Sequence, residues 1–241
     1  MAASWLAEHA HNLRDDVEVT VRVNGLDTPW GRQDIARLAD IPGLRAVVLP
    51  KVENVDALHD ARMACERADA PSALQLWAMI ETPRGIQEVD TIGNEGAQHL
   101  GLTALVAGTN DLSAELGCEL GSPARHALQF SLARIVLAAR AANISALDGV
   151  YNNVRDLAGF TEEALAARCL GFDGKTLLHP STIEPANATF SPSGDQLDWA
   201  RRVIAAVDAA RESGDGIALL DGSILEELHV RKAHKFIALA Q

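Results

Sequence analysis

The sequence predicts an α/β fold made of βα units around a parallel sheet. Short apolar runs rich in β-branched residues alternate with longer segments of helical periodicity, which is the signature of parallel strands linked by helices. The runs read as strands are Val17–Val23, Ala46–Pro50, Leu74–Ile80, Ala104–Ala107, Ser145–Val150 and Gly174–Leu178. The rhythm stops after His179-Pro180, and a polar and helical stretch follows.

Each intervening segment has its own reason to be helical. Thr28–Ala39 and Asn54–Ala68 carry apolar residues at helical spacing, and Gly85–Thr91 forms a shorter piece. Ala124–Ala142 is the clearest, because Leu128, Leu132, Ile135, Val136 and Ala139 keep one face apolar. Thr161–Leu170 starts with a threonine suited to an N-cap and two glutamates that complement the helix dipole. Beyond the Ser191-Pro-Ser-Gly loop, Asp195–Ser213 reads as a long helix ending at Gly214. Ile217–Leu225 reads as a hairpin turning on Asp221-Gly222, and a last helix starts near Glu226. The expected organisation is a βα body over residues 1–190 and a helical extension over 191–241. Six strands fit an open doubly wound sheet, whereas a closed barrel needs eight. Rhythm alone leaves both open.

Composition narrows the function classes. With 241 residues, 48% apolar and 22% charged, the chain has the balance of a globular protein. A net charge of −12 speaks against a nucleic-acid surface. Cys65, Cys118 and Cys169 are far apart and form no CxxC spacing, which suits a reducing compartment. The first residues include Glu8, His9 and His11 where a signal peptide would be basic and then apolar. No run is long enough to span a bilayer. The expectation is a cytoplasmic protein with no membrane or nucleic-acid partner.

In a parallel α/β sheet the chemistry gathers at the carboxyl ends of the strands. Those ends read Arg22-Val-Asn24, Lys51-Val-Glu53, Glu81-Thr-Pro-Arg84, Gly108-Thr-Asn110-Asp111, Asp148-Gly149 and His179-Pro180. Charged residues at five successive ends form a polar ring above an apolar sheet. Glu81 and Asp111 stand out, because two carboxylates with water in the other positions suit magnesium. The alternatives are that Glu81 pairs with Arg84 and that Asp111 caps the following helix. Arg22 reads either as a bidentate carboxylate clamp or as a partner for Asp27. His179, with Lys175 upstream, reads as catalytic or as a structural histidine. His9, His11, His59, His99 and His126 fall at polar positions and read as solvated. There is no GxGxxG, P-loop, GxSxG or HExxH pattern.

Seven segments in order resemble the HpcH/HpaI aldolase and citrate lyase beta-subunit family. They are VRVNGLDTPWGRQDI, LPKVENVDAL, IETPRGI, GTNDLSAELG, ALDGVYNNVRDLAGF, GFDGKTLLHPSTI and GSILEELHVRKA, which together span Val19 to His234. The resemblance implies a TIM-type (β/α)8 barrel of the phosphoenolpyruvate/pyruvate superfamily with a C-terminal helical extension. It also implies two further βα units, the second with an acidic DLED-like segment, for which this sequence shows no counterpart. Its six strands would then be the third to the eighth.

Carried over by position, the metal ligands are Glu81 and Asp111, with magnesium as cofactor. Arg22 binds the carboxylate of a keto acid, and Gly108 and Thr109 are candidate substrate-binding residues. Glu226 is the candidate catalytic acid of the tail, where related malyl-CoA and citramalyl-CoA lyases have aspartate. In this family the tail reaches a neighbouring subunit, which implies a homotrimer or a multiple of it. The implied activity is cleavage or formation of a hydroxyacyl-CoA thioester, with an acyl-CoA and a 2-keto acid as the other side of the reaction. An aldolase acting on 4-hydroxy-2-oxo acids without CoA, and a non-catalytic homologue, are the alternatives.

Overall fold

The structure is a computed structural model that describes residues 17–118, 124–214 and 216–240. The readings made at the extreme N-terminus, His9 and His11 included, lie outside the described residues. Two compact units divide between Thr182 and Ile183.

The first unit alternates strand and helix throughout. Its strands are β1 (Val19–Arg22), β2 (Leu44–Leu49), β3 (Gln75–Ile80), β4 (Leu102–Ala107), β5 (Ser145–Asp148) and β6 (Gly174–Lys175). Between them run α1 (Gly31–Leu38), α2 (Val55–Arg67), α3 (Pro83–His99), α4 (Thr109–Leu116), α5 (Gln129–Ala141) and α6 (Leu157–Leu170), with a 3-10 turn at Ala124–Leu128. All six strands pair in parallel and in chain order, β1-β2-β3-β4-β5-β6. A doubly wound sheet reverses direction at a switch point. This one never does. Right-handed crossovers taken always in one direction put the helices on a single face and curl the sheet into a half-barrel. The choice that rhythm left open is decided for the barrel type.

Burial follows from that geometry. In β2, Ala46, Val47, Val48 and Leu49 are buried in succession, as strands covered on both faces require. In β3 the pattern alternates: Leu76, Ala78 and Ile80 are fully buried, while Gln75, Trp77 and Met79 are half-buried. Trp77 Nε1 donates to Thr103 Oγ1 at 3.1 Å, and Thr103 Oγ1 donates to Gln75 Oε1 at 2.9 Å. That chain satisfies polar atoms where the sheet is only half covered.

Caps set the helix boundaries. Asn54 accepts from Ala57 N, and Thr82 accepts from Gly85 N with Pro83 at the first helical position. The α3 helix is therefore far longer than Gly85–Thr91 suggested. The expected Thr161 cap is corrected. Asp156 caps α6 by accepting from Gly159 N at 2.9 Å, and Thr161 Oγ1 instead donates to Leu157 O. The α4 helix, absent from the segments of helical periodicity, lies between Gly108 and a left-handed Gly117 with Asp111 in its first turn. Of the cysteines, Cys65 is buried, Cys118 half-buried and Cys169 exposed.

Under the ends of β5 and β6 lies a buried charge network. Lys175 Nζ donates to Asp148 Oδ2 at 2.7 Å, Glu163 Oε1 at 2.7 Å and Gly149 O at 2.6 Å. Arg125 pairs with the same two carboxylates at 2.6 and 3.0 Å. Two cations meet two anions, so the cluster is neutral and its hydrogen bonds are well filled.

The second unit begins with α7 (Ile183–Phe190) and holds α8 (Gly194–Ser213), the hairpin β7 (Leu219–Leu220) and β8 (Ser223–Ile224), and α9 (Glu227–Ala238). Its core is Ala200, Val203 and Ala233, with Trp199, Val230 and Phe236 packed around them. Asp221 and Gly222 both take positive φ, at 51° and 80°, as the hairpin turn requires. Ser193 and Gln196 form a capping box at the start of α8.

The buried network generates a stability prediction. The side chains of Lys175 and Asp148 are both 0% exposed, so removing one partner strands a buried charge. Lys175→Met is expected to destabilise the fold by about 3–5 kcal/mol in urea denaturation. A loss under about 1 kcal/mol would mean that the network carries no such load.

Candidate functional site

The carboxyl ends of β1 to β4 surround an open cleft of about 310 Å³. Arg22, Val23, Asn24, Gly25, Pro50, Lys51, Glu81 and Asp111 line it. Three of the expected site residues, Arg22, Glu81 and Asp111, are thus brought together. Each arrives by a different route. Arg22 is the last residue of β1, and Glu81 directly follows β3. Asp111 stands in the first turn of α4, so it projects from a helix start rather than from the strand itself.

Glu81 is 4% exposed and accepts a hydrogen bond from Lys51 N at 2.8 Å through Oε1. That bond, rather than one to Arg84, fixes its carboxylate. Burial pushes the Glu81 carboxyl above its usual range, and the nearby Asp111 charge adds to the rise. The Lys51 amide bond and the charges of Arg22 and Lys51 pull the other way. Lys51 also reaches Asp111, with Nζ 3.4 Å from Oδ1. Lys51 itself has φ of 48°, a left-handed backbone at a residue with a Cβ. The sequence shows Lys51 at a strand end, but neither its backbone conformation nor its double contact is visible there.

Gly108 and Thr109 back the cleft without lining it. A Cβ at Gly108 would come within 2.2 Å of Glu81 Cβ, so only glycine lets Glu81 lie against this backbone. Thr109 is 1% exposed, and its Oγ1 has no hydrogen-bond partner. It packs against Gly149, where a Cβ would meet that oxygen at 2.3 Å. Asn110 and Asn152 exchange two amide hydrogen bonds, at 3.1 and 2.8 Å, which tie the loop after β5 to the start of α4. Asn24 donates twice to Asp34 Oδ2, at 3.1 and 2.7 Å, which holds the turn after Arg22.

The donor set fits magnesium. Both carboxylates offer hard oxygens, and the cleft has room for the waters that magnesium keeps. Among the described residues no group of three or more His, Cys, Asp or Glu side chains is placed to hold a metal ion. Glu81 and Asp111 are the two carboxylates that line the cleft.

The other sequence candidates stand elsewhere. His179 is exposed, with Nδ1 2.8 Å from Ser181 Oγ and accepting from Ser181 N, as a structural histidine at a turn does. Glu226 belongs to the second unit, at the N-cap of α9, where its N–H donates to His229 Nδ1 at 3.0 Å.

A model of the HpcH/HpaI aldolase/citrate lyase family matches residues 2–180. A protein of Cereibacter sphaeroides named (3S)-malyl-CoA thioesterase is 42% identical over 98% of this chain and 76% of its own length. A citrate lyase subunit beta of Escherichia coli is 33% identical over 96% of this chain and 76% of its own. Among solved structures, CitE of Mycobacterium tuberculosis in complex with magnesium, acetoacetate and coenzyme A superposes with a TM-score of 0.73. It is 28% identical over 99% of this chain and 83% of that one.

The loop after β5 gives a pH prediction. Tyr151, the one tyrosine of the chain, donates to Asp156 Oδ2 at 2.8 Å. That hydrogen bond, followed by desolvation and the Asp156 charge, pushes its hydroxyl up to about 12. The Gly159 N–H and Tyr151 together hold the Asp156 carboxyl below its usual range. The folded tyrosine value lies above the unfolded one, so this contribution to stability is complete below pH 10 and is lost as pH rises through about 12. Absorbance titration should show tyrosinate forming near 12, and Asp156→Asn should bring the midpoint down. An unshifted midpoint in the wild type contradicts the assignment.

Proposed function

The chain belongs to the HpcH/HpaI aldolase/citrate lyase family, and from that premise we propose that it is a magnesium-dependent carbon–carbon lyase acting on a hydroxyacyl-CoA thioester. The observation that carries the reading is the cleft itself. Two carboxylates, Glu81 and Asp111, stand beside two cations, Arg22 and Lys51, at the carboxyl ends of neighbouring parallel strands. A relative named for malyl-CoA and a structural neighbour that holds magnesium, acetoacetate and coenzyme A support the substrate class.

In this reading Glu81 and Asp111 would hold the metal, which would supply Lewis acidity toward the substrate oxygens. Arg22 grips the substrate carboxylate with a two-pronged guanidinium and keeps the scissile bond aligned. The substrate hydroxyl loses its proton, the C–C bond breaks, and the electron pair passes to the carbon next to the thioester. That carbon is then protonated to give the acyl-CoA, while the keto acid stays on Arg22. Glu226 is the acid–base partner, acting in trans over the site of a neighbouring copy in a cytoplasmic homotrimer or a multiple of it.

A second reading is thioester hydrolysis, favoured by the name of the C. sphaeroides relative. Here water adds to the thioester carbonyl, the C–S bond breaks, and the CoA thiol leaves with a proton. Products separate the two. With malyl-, citramalyl- and citryl-CoA, lyase chemistry gives a 2-keto acid that reacts with a hydrazine and no new thiol. Hydrolysis gives free CoA thiol and no keto acid. We expect magnesium-dependent keto acid, abolished in Glu81→Gln, whose magnesium affinity by calorimetry drops about tenfold or more. Thiol release without keto acid would turn the assignment to hydrolysis.

The trans arrangement has its own test. Glu81→Gln and Glu226→Gln chains are each expected to be inactive. Mixed after dissociation, they should recover part of the activity, because some sites then combine an intact cleft with an intact tail. Absence of recovery would place Glu226 over its own cleft or outside the chemistry.

A further inference from the structure

We propose that the Lys51 ammonium is the internal counterion of the cleft, a stand-in cation that a divalent metal displaces when it binds Glu81 and Asp111. The inference rests on the reading of those two carboxylates as the metal site. Lys51 touches both by different atoms. Its N–H donates to Glu81 Oε1 at 2.8 Å, and its Nζ lies 3.4 Å from Asp111 Oδ1. Lys51 makes the two contacts from a backbone that a lysine rarely adopts, with φ of 48°.

The electrostatics give the arrangement a purpose. Two carboxylates facing one cleft repel each other, and the Asp111 charge indeed disfavours ionised Glu81. The ammonium on Asp111 offsets that repulsion before metal arrives, and its charge also favours ionised Glu81. The same cation cannot stay. Magnesium binds carboxylate oxygens at about 2.0–2.1 Å, and a second positive charge on Asp111 Oδ1 would oppose it.

Exposure makes the displacement feasible. The side chains of Lys51 and Asp111 are 57% and 49% exposed, whereas those of Lys175 and Asp148 are both 0% exposed. An exposed pair is weak and water can take over its ends, so Lys51 exchanges where Lys175 is fixed. Lys51 is therefore a positioning residue for the metal site, with its amide kept on Glu81 and only its ammonium released.

Calorimetry with magnesium alone tests this. Lys51→Met removes the competing charge and keeps the N–H on Glu81, so magnesium should bind about two- to fivefold tighter, the worth of one exposed ion pair. Lys51→Arg keeps the charge and should bind as the wild type does. Magnesium should also speed covalent labelling of the Lys51 amine, read by mass spectrometry, with Lys232 as the unaffected control. In Asp111→Asn that labelling should be fast without magnesium. Unchanged or weaker binding in a folded Lys51→Met protein, or labelling indifferent to magnesium, overturns the proposal. If Glu81→Gln and Asp111→Asn both keep wild-type magnesium affinity, the metal site itself is misplaced and the counterion role falls with it.

Discussion

Parallelism is the constraint from which the rest follows. When every strand runs the same way, every carboxyl end opens on one side of the sheet, and each βα turn begins there. The chain-order sheet places Arg22, Lys51, Glu81 and the start of α4 side by side, although they span 89 positions from Arg22 to Asp111. No long-range pairing of polar residues is needed to gather them. The apolar strands do it, through the burial of Val47, Val48, Leu76, Ile80, Leu105 and Val106. Side chains at the strand ends are positioned by a core to which they contribute almost nothing.

The first unit handles charge in two opposite ways at neighbouring strand ends. Around β5 and β6, Asp148, Glu163, Lys175 and Arg125 compensate one another largely away from water. The charges are matched within the cluster itself. Around β1 to β4 the balance is looser. Glu81 is buried with one hydrogen bond from an amide, while Asp111 and Lys51 stay half in solvent. Unfinished coordination of that kind is what a ligand site needs. The two regions are linked through Gly149, whose carbonyl accepts from Lys175 and whose bare Cα seats Thr109 at the head of α4.

The strands were legible because their runs are short, β-branched and bounded by turns, and all six appear within a few residues of their expected limits. Helices hidden by glycine were not. The α3 helix carries Gly85, Gly93 and Gly96 among its buried residues, so close packing overrides the low propensity that made the segment look short. Likewise α4, a short helix between two glycines, has no place among the helical segments that periodicity picks out. The candidate site was legible in Glu81 and Asp111, because acidic residues at strand ends need a reason to be there. The role of Lys51 was not, since a positive φ leaves no mark on a lysine in sequence. The Arg125–Asp148–Glu163–Lys175 network was hidden for another reason: its members are distant in the chain, and only the fold brings them together.

The sparse ligand set has a consequence for specificity. With only two carboxylates from the described chain, most of the coordination sphere of a magnesium ion would be filled by water and by the oxygens of the ligand. Binding of metal and of an oxygen-rich acid then become one process, because each completes the other's coordination. The cleft wall formed by Val23, Asn24, Gly25 and Pro50 is small and carries no charge of its own. In the proposed lyase, recognition of the acid end would fall on Arg22 and the metal, and recognition of the remainder mainly on shape. One methylene more or less is worth about 1–3 kcal/mol in such a pocket. On the proposed reading, such a cleft would distinguish a hydroxy acid from a plain acid far more sharply than one acyl chain from the next.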